Sequence, residues 1–204
     1  MGKRHSLLLP VIAVILLAAA SCKSDYEKMV DRELGSGIRQ DSIFFGLYLG
    51  MSIPDFYKHC FELNRQGLVT NGPENNTVLY SFYNYQYPLD MNFYPAFEND
   101  RIWKMGIVFN YQGWAPWNKI LYSDKLVVDV LDILEKWYGG GFLNLKAPNG
   151  KPVWVKVTGN RQILVTLQNE RNVRVEITDL TVPPPKKPQP VQDNNRPIWE
   201  KYAR

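Results

Sequence analysis

What this chain has little of narrows its chemistry. Among 204 residues there are two cysteines, Cys22 and Cys60, and two histidines, His5 and His59. A Ser-His-Asp or Cys-His site has to use one of those histidines or do without. His59 and Cys60 are neighbours, and on a helix their side chains diverge by about 100°. They therefore make a poor dyad. Histidine and cysteine clusters at metal-ligand spacing are missing, and nothing calls for a cofactor. Gly139-Gly140-Gly141 is not a phosphate loop, because no Gly-Lys-Ser/Thr follows and the glycines come after a helical pattern rather than before one. A strong charge of one sign is also missing: the formal net charge is +4. That excludes an argument for nucleic acid or for a strongly acidic partner. Long apolar runs are absent too. The longest, Leu7–Ala20, has 14 residues, whereas a spanning helix needs about 20.

What is present begins at the N-terminus. Lys3 and Arg4 precede that short apolar run, and the small residues Ala18-Ala19-Ala20-Ser21 close it. This is the plan of a secretory signal. Met1-Gly2 with Ser6 also fits the N-myristoylation pattern, but the signal-like run behind it argues against a cytosolic acylated protein. Ala19-Ala20-Ser21-Cys22 resembles a bacterial lipobox, with Ala19 where Leu is usual. The resemblance implies cleavage before Cys22 and lipidation of that residue; an ordinary signal with an incidental cysteine is the plainer alternative. Lys23 in second place implies the outer membrane, with the periplasmic or the exposed side left open. The mature chain then has 183 residues, 22 basic against 20 acidic. Cys60 would have no partner for a disulfide.

Residues 22–41 are charged, with Gly35 and Gly37, and read as a tether with room for one helical turn or two. "SIFFGLYLG" reads as a strand. Ser52 is a candidate N-cap with Asp55 three residues on, and Ile53, Phe56, Cys60 and Leu63 recur at helical spacing. "TVLYSFYNYQY", "DMNFYPAF" and "RIWKMGIVFNYQ" read as strands. A second helix starts near Ser123 with an apolar face of Leu126, Val127, Val130, Ile133, Leu134 and Trp137. Asp129, Asp132 and Glu135 lie opposite that stripe, on a solvated face. "PVWVKV", "QILVTL" and "VRVEIT" are three further strands, and Asn149-Gly150 reads as a hairpin turn.

Helix, strand, strand, strand thus occurs twice. Ser52 and Ser123 are 71 residues apart, and "NDRIWKM" and "NERNVRV" are 70 apart. The expected fold is α+β: two tandem helix-plus-three-strand units, (αβββ)2, with helices packed on antiparallel sheet. The expected boundaries are a signal at 1–21, a tether at 22–41, units at 42–112 and 113–182, and a Pro-rich tail at 183–204.

Aromatic content is the positive functional signal. Alternation along a strand puts Tyr83, Tyr85 and Tyr87 on one face and Tyr80 and Phe82 on the other. One set is core; the other is a candidate surface for a protein, peptide or glycan. Trp114 and Trp117 flank a proline in the connection between the halves. They either present two indoles to a ligand or plug the seam.

"LGMSIPDFYKHCFELNRQG" resembles the helix entry of BamE/SmpA-type outer-membrane lipoproteins. The repeated plan is similar to β-lactamase-inhibitor-like tandem α+β modules, and the whole looks like uncharacterised lipoproteins of Bacteroidota. These resemblances imply a binding or scaffold role and transfer no catalytic residue. The sequence-based expectation is a lipid-anchored envelope protein that is not an enzyme. A hydrolase or glycan-active enzyme on scattered carboxylates, or an inhibitor of a secreted enzyme, are the alternatives.

Overall fold

Helices start in this protein where a side chain can take the first free amides. The computed structural model describes residues 23–73 and 77–185. Helix α1 spans Asp25–Gly35 behind Ser24, which forms a capping box with Glu27. Helix α2 spans Ile53–Arg65; the Ser52 hydroxyl oxygen accepts from the Asp55 amide, as the sequence implied. Helix α3 spans Ser123–Tyr138. Ser123 is its first residue rather than its cap, and its amide donates to the Glu170 carbonyl at 2.8 Å.

The strands are β1 (Thr70–Asn71), β2 (Val78–Phe82), β3 (Leu89–Glu98), β4 (Arg101–Tyr111), β5 (Leu143–Lys146), β6 (Pro152–Thr158), β7 (Arg161–Leu167) and β8 (Val173–Asp179). They form one antiparallel eight-stranded sheet in the order β1-β2-β3-β4-β8-β7-β6-β5. The fold is therefore α+β. The short edge strands β1 and β5 make four strands after each of α2 and α3, one more than expected. The turn at Asn149-Gly150 joins β5 to β6, with Gly150 at φ +77°.

Register sorts the side chains into two faces. On one lie Met91, Phe93, Met105, Ile107, Phe109, Val165, Val175 and Ile177, all fully buried. Leu126, Val130, Ile133 and Leu134 of α3 cover them, and Phe56, Tyr57 and Cys60 of α2 join the same core. Each such side chain contributes about 1.5–3 kcal/mol by leaving water. On the other face Val155 and Val157 form a smaller cluster with Met29 of α1. The middle of that face, including Asn92, Gly106, Arg174 and Glu176, stays half-open.

Two sequence expectations change here. "SIFFGLYLG" is not a strand. Phe45 and Gly46 both take positive φ, 51° and 82°, and Ile43 N–H closes a tight turn on the Leu47 carbonyl at 2.8 Å. The turn tucks Ile43, Phe44, Leu47 and Leu49 into the main core; burial on all sides replaces the half-buried alternation of a strand. The 22–41 segment is likewise not an extended tether over its described part, because α1 occupies most of it. Its amphipathic side carries Met29, 7% exposed, onto β6. No helix among the described residues is long and apolar enough to cross a membrane.

Candidate functional site

The aromatic residues singled out in the sequence meet at one end of the sheet. That end is built from the loop 83–88 between β2 and β3, the connection 112–122 between β4 and α3, the first turns of α3, and the β7–β8 turn. The β7–β8 turn is tied to α3 by the Ser123–Glu170 bond. The loops 83–88 and 112–122 are joined by the Gln112 amide donating to the Pro88 carbonyl at 2.9 Å. The Gln112 side chain also donates to Asp90 at 2.8 Å.

Strand β2 stops at Phe82, so Tyr83, Tyr85 and Tyr87 lie on a loop and do not share a strand face. Tyr80 and Phe82 pack in the core. Tyr83 is 73% exposed. Tyr85 and Tyr87 turn inward. The Tyr85 hydroxyl donates to Asp132 Oδ2 at 2.6 Å, and the same oxygen accepts from Lys136 Nζ at 2.6 Å. Tyr87 packs edge-on against Tyr111 with ring centroids 5.9 Å apart. The Tyr111 hydroxyl donates to Asp129 Oδ2 at 2.5 Å.

Asp129 and Asp132 are therefore not simply a solvated helix face. They are half-buried acceptors that hold the two loops to α3; only Glu135 of the trio is fully exposed. A spacing argument could not see this, because both donors come from more than a helical turn away in sequence. The electrostatics follow the geometry. Burial, helped by the bond to the Asp132 carboxylate, pushes the Tyr85 phenol up to about 12. Burial and the bond to Asp129 raise Tyr111 further still. The hydrogen bonds from Lys136 and Tyr85 hold the Asp132 carboxyl below the usual range. These groups keep fixed protonation states at neutral pH: tyrosines as donors, Asp132 as a carboxylate.

The two tryptophans divide the roles proposed for them. Trp114 plugs: its ring lies 6.0 Å from that of Tyr122, it packs against the main core, and its indole nitrogen is buried. The Arg171 guanidinium sits 5.9 Å above it. Trp117 is presented, at 84% exposure. The segment that carries it is fixed on both sides. Tyr122 donates to the Pro116 carbonyl at 2.6 Å, and Lys119 donates to the Tyr122 hydroxyl at 2.6 Å while lying 4.1 Å from the ring centre. Ile120 and Val128, on the same connection and on α3, are also exposed, at 57% and 64%.

Away from this end, the remaining candidates are quiet. His59 Nε2 donates to the Phe45 carbonyl at 2.6 Å, and Cys60 is buried with its thiol pushed up to about 12 by desolvation. No cluster of three or more metal-ligating side chains occurs among the described residues. Cys22 lies outside the described residues, as do the signal at 1–21 and the tail beyond Pro185. No family model matches the chain, and no curated protein or solved structure is found to be similar to it.

Proposed function

We propose that this chain is a lipid-anchored protein of the bacterial outer membrane with a non-catalytic binding or scaffold role, and that it takes its protein, peptide or glycan partner at the aromatic end. The observation that carries the reading is Trp117, an indole left 84% exposed on a connection held by Trp114, Tyr122 and Lys119. An aromatic anchor on ordered backbone loses little entropy on binding, and tryptophan is enriched among binding hot spots. The carboxylates of that end favour the same reading. Asp129 and Asp132 accept through Oδ2 from Tyr111, Tyr85 and Lys136, so they serve as fasteners between α3 and the loops.

The anchor half of the proposal rests on the lipobox-like Ala19-Ala20-Ser21-Cys22. Cys22→Ala should release the protein from membranes or block its processing; unchanged anchoring and size would end that part of the reading.

The tandem-repeat origin belongs to the same proposal, and the register supports it. With an offset of 70 residues Gly106 corresponds to Glu176, and these two are direct partners across β4 and β8. The neighbouring pairs step outward evenly, Met105 with Ile177 and Ile107 with Val175. Even stepping belongs to any antiparallel ladder; the support lies in the 70-residue offset falling inside this one, with β1–β4 and β5–β8 in mirrored order on its two sides.

A photo-crosslinking amino acid tests the binding site. Placed at 117 it should trap a discrete partner in cells, whereas at Phe61, exposed on α2, it should not. Equal trapping at both positions, or none at 117, would move the site elsewhere.

A further inference from the structure

The proposed acylation site and the first fixed residue of the fold are two positions apart, since Ser24 is the N-cap of α1. Two extended residues reach about 7 Å. The headgroup layer on one side of a bilayer is about 5–8 Å deep. An acylated Cys22 therefore places the start of α1 at the outer edge of that layer.

Whether the body follows depends on how α1 is fastened. Met29 is 7% exposed, against Val155 and Val157. The Tyr26 hydroxyl donates to Gln162 Oε1 at 2.6 Å, and the Gly159 amide donates to Glu33 Oε2 at 3.1 Å. Past the helix, the Gln40 amide donates to Asn160 Oδ1 at 2.7 Å, and the Arg161 guanidinium donates to the Ser42 carbonyl at 2.6 Å. From residue 24 to residue 42 the chain is bound down repeatedly along its length.

We infer, resting on the lipid-anchor reading, that α1 is a rigid strut that holds the body against the headgroup surface of the bilayer, with the flank around the first turns of α1 nearest to it. That flank is the open side of α1, where Asp25, Lys28 and Arg32 border a shallow cleft of about 330 Å³ with Gly141 and Leu143. Its charges are mixed, so contact is imposed by the short covalent leash and is insensitive to salt. The inference narrows the partner class. A free 20-residue leash would let the body roam about 65 Å from the membrane. The strut confines it to its own width of about 40 Å, taking about 160 residues at the usual compactness. A partner held farther than about 40 Å from that membrane is then out of reach.

The test uses the intact lipoprotein in phosphatidylethanolamine–phosphatidylglycerol vesicles doped with a nickel-chelating lipid. Spin labels are placed singly at Lys28→Cys on α1 and Val128→Cys on α3, which lies on the other face of the sheet. Buried Cys60 stays unlabelled. The strut predicts several-fold stronger nickel relaxation at 28 than at 128, unchanged by added salt. A short Gly-Ser linker inserted between Lys23 and Ser24 should level the two sites. Equal relaxation in the acylated native protein overturns the strut alone. Failure to incorporate labelled palmitate overturns the anchor reading and the strut with it.

Discussion

Replacing Gly159 with alanine should unfasten the strap that runs from α1 to residue 42, and the structure sets the size of the effect. Gly159 has φ +56°, and a Cβ built there would stand 2.2 Å from the Ile38 carbonyl oxygen. The backbone conformation alone costs a non-glycine residue about 1 kcal/mol. The clash adds to this, because backbone cannot rotate aside as a side chain can. Moving residues 38–40 away by more than 1 Å breaks the bond from Gln40 to Asn160 and loosens the one from Gly159 to Glu33. At about 0.5–1.5 kcal/mol for each bond, the total loss is about 2–4 kcal/mol. Gly150 is the control: its φ is +77° with nothing within 4 Å of a built Cβ, so Gly150→Ala should lose only the conformational part, about 1 kcal/mol. Urea denaturation reads both. With a slope of about 2 kcal/mol per M, the Gly159 variant's midpoint falls by about 1–2 M and the control's by about half a molar. Hydrogen exchange in α1 should accelerate in the first variant only. Equal midpoint shifts for the two would refute the argument, since they would leave no role for contact with Ile38.

Removing the hydroxyl in Tyr111→Phe strands the Asp129 carboxylate and should cost about 0.5–1.5 kcal/mol. Tyr85→Phe should cost less, because Lys136 still serves Asp132; differential scanning fluorimetry ranks the pair, and the reverse order would count against the fastening role. Cys60 should resist alkylation at pH 8 until the chain unfolds, as its desolvated thiol is pushed up to about 12; rapid labelling of the native protein would contradict its burial. Burial raises the Asp179 carboxyl, but hydrogen bonds from Thr181 and Arg39 outweigh it and hold the group below its ordinary value. Because the folded value is the lower one, this stabilisation is complete above the unfolded value of about 3.9 and is lost as pH falls through the folded one. The stability gap between native protein and Asp179→Asn should therefore shrink as pH is lowered from neutral into that range, and a gap independent of pH would refute the assignment.

Much of the sheet was legible because its strands alternate cleanly and are separated by turn chemistry. Asn99 and Asp100 take φ 49° and 60°, as a tight hairpin between β3 and β4 requires. The Ser52 cap was legible for the same kind of local reason. "SIFFGLYLG" misled because a β-rich composition can equally fill a core from a folded loop; which one occurs depends on Phe44 meeting Phe93 and Trp137, contacts far away in sequence. Helix α1 was hidden by its charge. Its exposed side resembles a linker, and the docking of Met29 is decided by Val155 and Val157. At the candidate site, the aromatic types drew attention to loops that meet at one end of the sheet, where Trp117 is exposed while Tyr85 and Tyr87 turn inward. The pairing of Tyr85 and Tyr111 with carboxylates on α3 is set by tertiary geometry, and no spacing rule reveals it.

The central claim is that an exposed indole, and not a carboxylate, carries the function. Capture of the cross-linked partner by purified protein tests it most directly, comparing the native chain, Trp117→Ala and the double variant Asp129→Asn/Asp132→Asn. Trp117→Ala should leave the melting temperature in place, as surface changes usually do, and lower partner affinity at least about tenfold, the scale of a binding hot spot. The double variant should lose stability yet still capture its partner when folded. Full capture by Trp117→Ala, with capture or turnover abolished in a folded double variant, would contradict the account.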